Sequence, residues 1–364
     1  MRTVLDATPL LGPRTGVGRY VHELVQHLPA AAVRLGLDCE VRVTTWTARG
    51  GRVTGLPPGV NQVGPRVPAR LVRAAWLRGD RPRIESLVGR CDVFHGTNFV
   101  SPPTRGAREV VMVHDLTYAL LQDTVSAASL AYRELVPRAL ARGATVVTPS
   151  ETVAEQVREH YGLAAERVVA TRLGVGDAWF TAEPADPAWL RARGLPTDYL
   201  VFVGSLDPRK NLPRLLEAYR RLRAELPGCP ALVLAGPAGR EEALLGAEGV
   251  SLTGWLEEDE LRAVVAASRG LVLPSVDEGF GLPVLEALAT GRPVVRSTIP
   301  ALEEVSGGLA VAAAPDDADA LAGALLEVLR APADADAVPQ RRAWARRWTW
   351  DACAEATLGV YTRG

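Results

Sequence analysis

Lysine, methionine and cysteine are scarce in this chain. It has 364 residues with two methionines, four cysteines and a single lysine, Lys210. Cys39, Cys91, Cys229 and Cys353 are scattered and form no CxxC pair. That spacing argues against a disulfide framework or a zinc ribbon and fits a reducing cytoplasm. No apolar run approaches the ~20 residues that a membrane-spanning helix needs. The opening MRTVLDATPLL is interrupted by Asp6 and Pro9 too early to serve as a signal peptide. A net charge of −1 leaves no basic excess to argue for nucleic acid.

The content that is present is that of a soluble globular protein, with 48% hydrophobic and 23% charged residues. The length exceeds one ordinary core, so two domains are expected. The near-exclusive use of Arg among basic residues, with abundant Ala, Leu and Val, points to a GC-rich, bacterial genome.

The stretch 271–295, LVLPSVDEGFGLPVLEALATGRPVV, organises the reading. Leu271, Val272 and Leu273 suit a buried parallel strand. A loop follows, with Gly279 and Gly281 on either side of Phe280. Leu282 to Thr290 reads as a helix, with Pro283 early in it and Gly291 as its stop. Strand, glycine loop and helix N-terminus together favour an anion, because free N–H groups and the helix dipole point the same way. Glu278 and Glu286 bracket that loop. Carboxylates suit hydroxyls rather than phosphates, so the expected ligand is part anion and part polyol, as a sugar nucleotide is. The bland alternative is two solvated helix-end charges.

A second strand–glycine–helix unit opens the chain, at Thr3 to Leu5, then Gly16 and Gly18, then a helix from Val21. As a dinucleotide fingerprint it is weak, because Val21 stands where a third glycine belongs. The segment 49–68 reads as loop. Residues 69–90 read as an Arg-rich helix with Leu71, Val72, Ala75 and Trp76 on one side. Its basic face is solvated or touches an anionic acceptor or membrane surface. His114 ends a strand and precedes Asp115, where open α/β sheets bind ligands; His95 is a weaker candidate on the neighbouring strand. Ser150 is a plausible N-cap. Tyr199 to Val203 form another strand, ending at Gly204. Arg209 and Lys210 then precede a helix with apolar positions at Leu212, Leu215, Leu216, Tyr219 and Leu222. Two cations at a helix N-terminus oppose the dipole unless an anion lies between them, and both suit phosphate oxygens.

The run from Glu278 to Glu286, EGFGLPVLE, resembles the paired-glutamate signature of retaining glycosyltransferase family four. The resemblance extends over nearly the whole chain, with the Arg209-Lys210-Asn211 run and His114-Asp115 in matching order. Thr15-Gly16 replaces the family's glycine pair. It implies an α/β fold of two facing Rossmann-like domains, termed GT-B, with an interdomain cleft and a C-terminal helix crossing back to the first domain. The expected division is 1–174 for the acceptor, 175–343 for the nucleotide sugar, and 344–364 for that helix. It also implies a nucleotide diphosphate sugar as donor, GDP-mannose before UDP-glucose, with no cofactor; no DxD carboxylate pair is placed for a metal, so metal independence is expected. The acceptor is a glycan, a lipid-linked molecule or a small molecule.

On that resemblance Arg209 and Lys210 hold the diphosphate with Gly204, Gly16, Gly18 and the backbone of Gly279, Phe280, Gly281 and Leu282. Glu278 holds the sugar hydroxyls, Glu286 the ribose diol, and His114 the transferred sugar. Leu256 lies at the base-binding edge. A cytoplasmic enzyme, with peripheral contact at the inner membrane face as an option, is implied. The rivals are a sugar-nucleotide epimerase, a nicotinamide-dependent oxidoreductase using the Gly16 loop, and a non-catalytic sugar-nucleotide-binding protein.

Overall fold

The computed structural model describes residues 1–48, 51–121, 127–237, 246–331 and 336–363. The chain divides into two units, Met1–Gly174 with Thr349–Gly364, and Val175–Trp348. Each is built on a parallel sheet.

In the first unit the strands are β1 Arg2–Asp6, β2 Glu40–Thr44, β3 Asn61–Gln62, β4 Val93–Gly96, β5 Arg108–Met112, β6 Thr145–Thr148 and β7 Val168–Ala170. Their spatial order is β3-β2-β1-β4-β5-β6-β7, and every pair is parallel. The second unit has β8 Tyr199–Val203, β9 Ala231–Ala235, β10 Val250–Gly254, β11 Leu271–Leu273, β12 Val294–Ser297 and β13 Val311–Ala313. Their order is β10-β9-β8-β11-β12-β13, again parallel throughout. Parallel sheets are covered on both faces, so central strands are apolar along their whole length. All five residues of β8 and all three of β11 are accordingly buried.

Both sheets reverse direction of growth beside their first strand, between β1 and β4 and between β8 and β11. Open α/β sheets bind ligands beyond the carboxyl ends of the strands at such a switch point.

Local chemistry fixes the helices around these ends. The Ser150 hydroxyl accepts from the Val153 N–H at 3.2 Å and starts the helix Glu151–Tyr161. Asp317 does the same for Ala318–Arg330, accepting from Asp319 and Ala320 at 2.9 Å each. The helix Leu282–Thr290 stops at Gly291, whose φ of 83° is left-handed.

Four expectations change. The first helix is Gly16–Arg34, so Gly16 and Gly18 lie in its opening turn rather than in a loop before it. Thr15, extended at ψ 179°, makes the entry, and a Cβ on Gly18 would sit 3.2 Å from the Pro9 carbonyl oxygen. The stretch 49–68 contains strand β3, and residues 49 and 50 lie outside the described residues. The single helix expected over 69–90 is two, Ala69–Arg78 and Glu85–Val88, separated by Gly79 and Pro82. Val72 and Trp76 are buried there but Leu71 is 57% exposed, so the apolar face is narrower than expected. The tail is two helices, Ala337–Ala345 and Trp350–Thr362, with Thr349 capping the second. Trp344 and Trp348 therefore lie in the second unit, and Trp350 lies in the first.

Candidate functional site

The expected cation pair and the expected glutamate meet at the switch point of the second unit. After β8 the chain makes a one-turn helix, Pro208–Lys210, and Asn211 then turns left-handed at φ 59° to start the helix Leu212–Glu225. The Asn211 side chain donates to the Pro274 carbonyl at 3.0 Å and to that of Pro315 at 2.6 Å. The Val276 N–H donates to the Arg209 carbonyl at 2.9 Å. These bonds sew the turn after β8 to the loop after β11.

Arg209 Nη1 donates to Glu278 Oε2 at 3.0 Å and to the Asp277 carbonyl at 3.2 Å. The Lys210 ammonium donates to Glu278 Oε1, and the Ser275 hydroxyl donates to the same oxygen at 2.7 Å. Lys210 and Glu278 are each only 7% exposed. Burial alone would push the Glu278 carboxyl up, but Lys210 first, then Arg209 and Ser275, outweigh it and hold it at about 2. Burial pushes the Lys210 ammonium down, against the pull of Glu278. Two cations face one carboxylate in this trio, so its formal charge remains positive before any ligand arrives.

Glycines bring backbone close to this end of the sheet. The Gly204 N–H donates to the Ala235 carbonyl at 2.9 Å and the Gly236 N–H to that of Gly254 at 3.1 Å. A Cβ on Gly236 would meet the Gly204 oxygen at 2.0 Å. Gly281, at φ 97°, caps the helix Leu282–Thr290, and a Cβ there would meet Leu302 Cδ2 at 2.4 Å. The Val284 and Leu285 N–H groups already bond the Gly281 carbonyl. Phe280 is buried with its ring 5.4 Å from that of Trp348. Glu286 is 3% exposed on the same helix. Leu256 is buried two residues beyond β10.

The first unit has its own switch-point cluster, of different character. The Thr97 hydroxyl donates to the Asp6 carbonyl at 2.5 Å, joining the ends of β1 and β4. His114, just past β5, donates from Nε2 to the Thr97 carbonyl at 2.9 Å. A carbonyl only accepts, so Nε2 carries the proton and Nδ1 is left as the acceptor of the neutral ring. The imidazole lies between the edges of Tyr20 and Phe99, each 5.4 Å away between centroids. Burial pushes its pKa down. Phe99 itself holds φ 59°, an outlier for a bulky residue, where it donates to the Met112 carbonyl. His95 is fully buried against Tyr361 at 2.6 Å, and burial takes it down to about 3, which marks it as a packing residue. Burial also pushes the Asp6 carboxyl up, although Thr8 bonds it.

Sequence reasoning missed Ser275, Thr97 and the second role of Asn211. Ser275 stands three residues before Glu278 in the same loop, which is a usable local signal. Thr97 acts across strands and leaves no local pattern. Among the described residues, no three His, Cys, Asp or Glu side chains converge as a metal site.

The class these features define is a glycosyltransferase on two parallel-sheet α/β units, consistent with the GT-B fold. Residues 14–178 match the family described as Glycosyltransferase Family 4, and residues 197–331 match that described as Glycosyl transferases group 1. An O-antigen chain mannosyltransferase B of Escherichia coli is 27% identical over 99% of each chain. An MMP alpha-(1->4)-mannosyltransferase of Mycolicibacterium hassiacum is 27% identical over 91% of this chain and 80% of its own. A sucrose-phosphate synthase of Thermosynechococcus elongatus shares the fold at a TM-score of 0.73, with 20% identity over 99% of this chain and 98% of its own. The glycosyltransferase WaaG, involved in lipopolysaccharide biosynthesis, does so at 0.70, with 18% identity over the whole of both chains. The chain is a family-4-like glycosyltransferase.

Proposed function

We propose that the protein moves a hexose of mannose or glucose type from a nucleotide diphosphate sugar to a hydroxyl of a glycan, lipid-linked or small-molecule acceptor, with retention and without a metal ion. The observation that carries this reading is the Arg209–Lys210–Glu278 cluster at the switch point of the second unit. The names of the full-length relatives favour mannose, and hence GDP-mannose, as the first donor to test. A neighbour of the same fold at a TM-score of 0.68, HepE of Anabaena, was solved with UDP-glucose, which keeps that donor second.

The bond that breaks joins the anomeric carbon to a diphosphate oxygen. Negative charge grows on that oxygen, and fixed cations and N–H donors stabilise it best when they are in place beforehand. Arg209 and Lys210 are held by Glu278 before the ligand binds, so little reorganisation is needed. The diphosphate lies against these two and the backbone of Gly279 to Leu282. Glu278 then holds sugar hydroxyls and Glu286 the ribose diol. His114, as a neutral acceptor at Nδ1, suits a sugar hydroxyl better than a phosphate. Both Glu278 oxygens are already engaged by Arg209, Lys210 and Ser275, which makes Glu278 a poor nucleophile compared with the carboxylate of a retaining hydrolase. The acceptor hydroxyl therefore attacks the same face, and its proton passes to the departing phosphate oxygen.

A thermal-shift panel of GDP, UDP, ADP, GDP-mannose and UDP-glucose tests the donor class. A ligand at a hundred times its Kd should add about 2.7 kcal/mol of apparent stability. Absence of a shift with every nucleotide would sink the reading. An inverted anomeric configuration in the product would sink retention alone.

A further inference from the structure

A second concentration of positive charge lies in the first unit, away from the strand ends where His114 sits. A cavity of about 500 Å³ is lined by Arg81, Pro82, Arg83, Ser86 and Arg105. That volume falls within the range of small-molecule sites. Arg105 is three residues before the amino end of β5, whereas His114 is two residues past its carboxyl end. A five-residue strand separates these places by roughly 16 Å or more.

None of the three guanidinium groups makes a side-chain hydrogen bond or ion pair among the described residues. The nearby acids are already committed. The Glu85 carboxylate accepts from the Arg105 N–H at 2.7 Å, from Gly106 at 3.0 Å and from Ala107 at 3.2 Å. Asp80 faces Arg142 at 3.6 Å. The Glu85 bonds fasten the 105–107 loop to the Glu85–Val88 helix, and the Ile84 N–H donates to the Pro103 carbonyl at 2.9 Å. The cavity wall is therefore held by backbone, and the three side chains are spare. Three exposed guanidinium groups against the single Glu85 carboxylate leave the hollow net positive. Guanidinium forks match phosphate oxygens in geometry as well as charge.

We propose that this cavity binds a phosphate or diphosphate group, separate from the candidate reaction site, carried either by a soluble molecule or by a lipid headgroup. Because the backbone holds the wall, the variant R81Q/R83Q/R105Q should keep the wild-type circular dichroism and melting temperature. Inorganic pyrophosphate is titrated calorimetrically into both full-length proteins, and both are sedimented with vesicles of phosphatidylcholine with and without phosphatidylglycerol. For a soluble ligand, the wild type should bind one pyrophosphate more than the variant, or bind it at least tenfold more tightly. For a lipid source, the same difference in pyrophosphate uptake should hold and, in addition, only the wild type should sediment with the anionic vesicles. Equal pyrophosphate uptake by the two proteins overturns the proposal.

Discussion

The two sheets grow in the same order and reverse at the same point, yet the chemistry gathered at their switch points is opposite. In the second unit the partners win over burial at Glu278, which Lys210 and Arg209 keep ionised down to about 2, although burial still pushes the Lys210 ammonium down. In the first unit burial wins: His114 and His95 are pushed toward neutral and Asp6 upward. The strand ends of the second unit therefore carry paired, ionised groups, and those of the first carry groups pushed toward their neutral forms. The lesson is that fold alone does not choose the ligand; the charge partners that each strand end recruits do.

The comparison breaks most visibly at Lys210. Replacing it with Ala leaves Glu278 buried with half its cations, and loss of one partner from a buried pair costs about 3–5 kcal/mol. Urea unfolding should show that loss, and transfer should fall by roughly 10²–10³ or more. Replacing Glu278 as well should recover part of the stability, because the double change removes the stranded charge. A double-mutant cycle with no coupling would mean that the pair does not act as a unit.

Acid should separate the units by where they fail. A histidine whose folded pKa lies below its unfolded value of 6.5 contributes stability above pH 6.5. That contribution is lost as pH falls from 6.5 toward the folded value, at about 1.4 kcal/mol per pH unit for a histidine such as His95. Asp6, shifted the other way, opposes this only below its own raised value. Glu278 contributes above the ordinary 4.5 and is lost as pH falls from there to about 2. Hydrogen exchange at successive pH values should therefore show the first unit opening from about pH 6 downward and the second holding to about pH 4.5. The reverse order would contradict the assignment.

How much of this was legible in the sequence follows from what is local. The strands ending at Val203 and Leu273 were readable because double-sided burial demands an unbroken apolar run. The helix Leu282–Thr290 was readable from Pro283 and Gly291. The charged residues were legible as types at the right strand ends. Their mutual arrangement was not, because bonds such as that of Asn211 to Pro274 and Pro315 span more than sixty residues. The break between Arg78 and Glu85 was signalled by Gly79 and Pro82 and lost beneath the arginine-rich helical pattern around it. Gly16 and Gly18 read as loop because glycine is a poor helix former; close packing against the Pro9 carbonyl accounts for glycine at position 18 alone, since a Cβ at Gly16 would meet nothing within 4 Å.

A smaller effect sharpens the division of labour. His114→Ala should lower sugar transfer by roughly 10- to 100-fold while leaving the affinity for a nucleotide diphosphate unchanged, since that affinity is assigned to the other unit. Arg209→Ala should do the reverse to affinity. If both variants changed nucleotide binding equally, the contrast between the units would dissolve. The smallest effect is expected on the surface of the first unit. Arg34 pairs with Asp351 and Glu355 at 2.8 Å each, but all three are well exposed. Arg34→Ala should leave the urea midpoint indistinguishable from that of the wild type.

The central claim is that buried cations after β8 receive the donor's diphosphate. Lys210→Met keeps the apolar stem and removes only the charge, so it isolates that claim. Once the panel has identified the nucleotide, its diphosphate should be titrated calorimetrically into the wild type and into Lys210→Met, with matching circular dichroism as the control. At least a tenfold loss of affinity in the variant is the predicted result. Equal affinity in the two folded proteins would contradict the account.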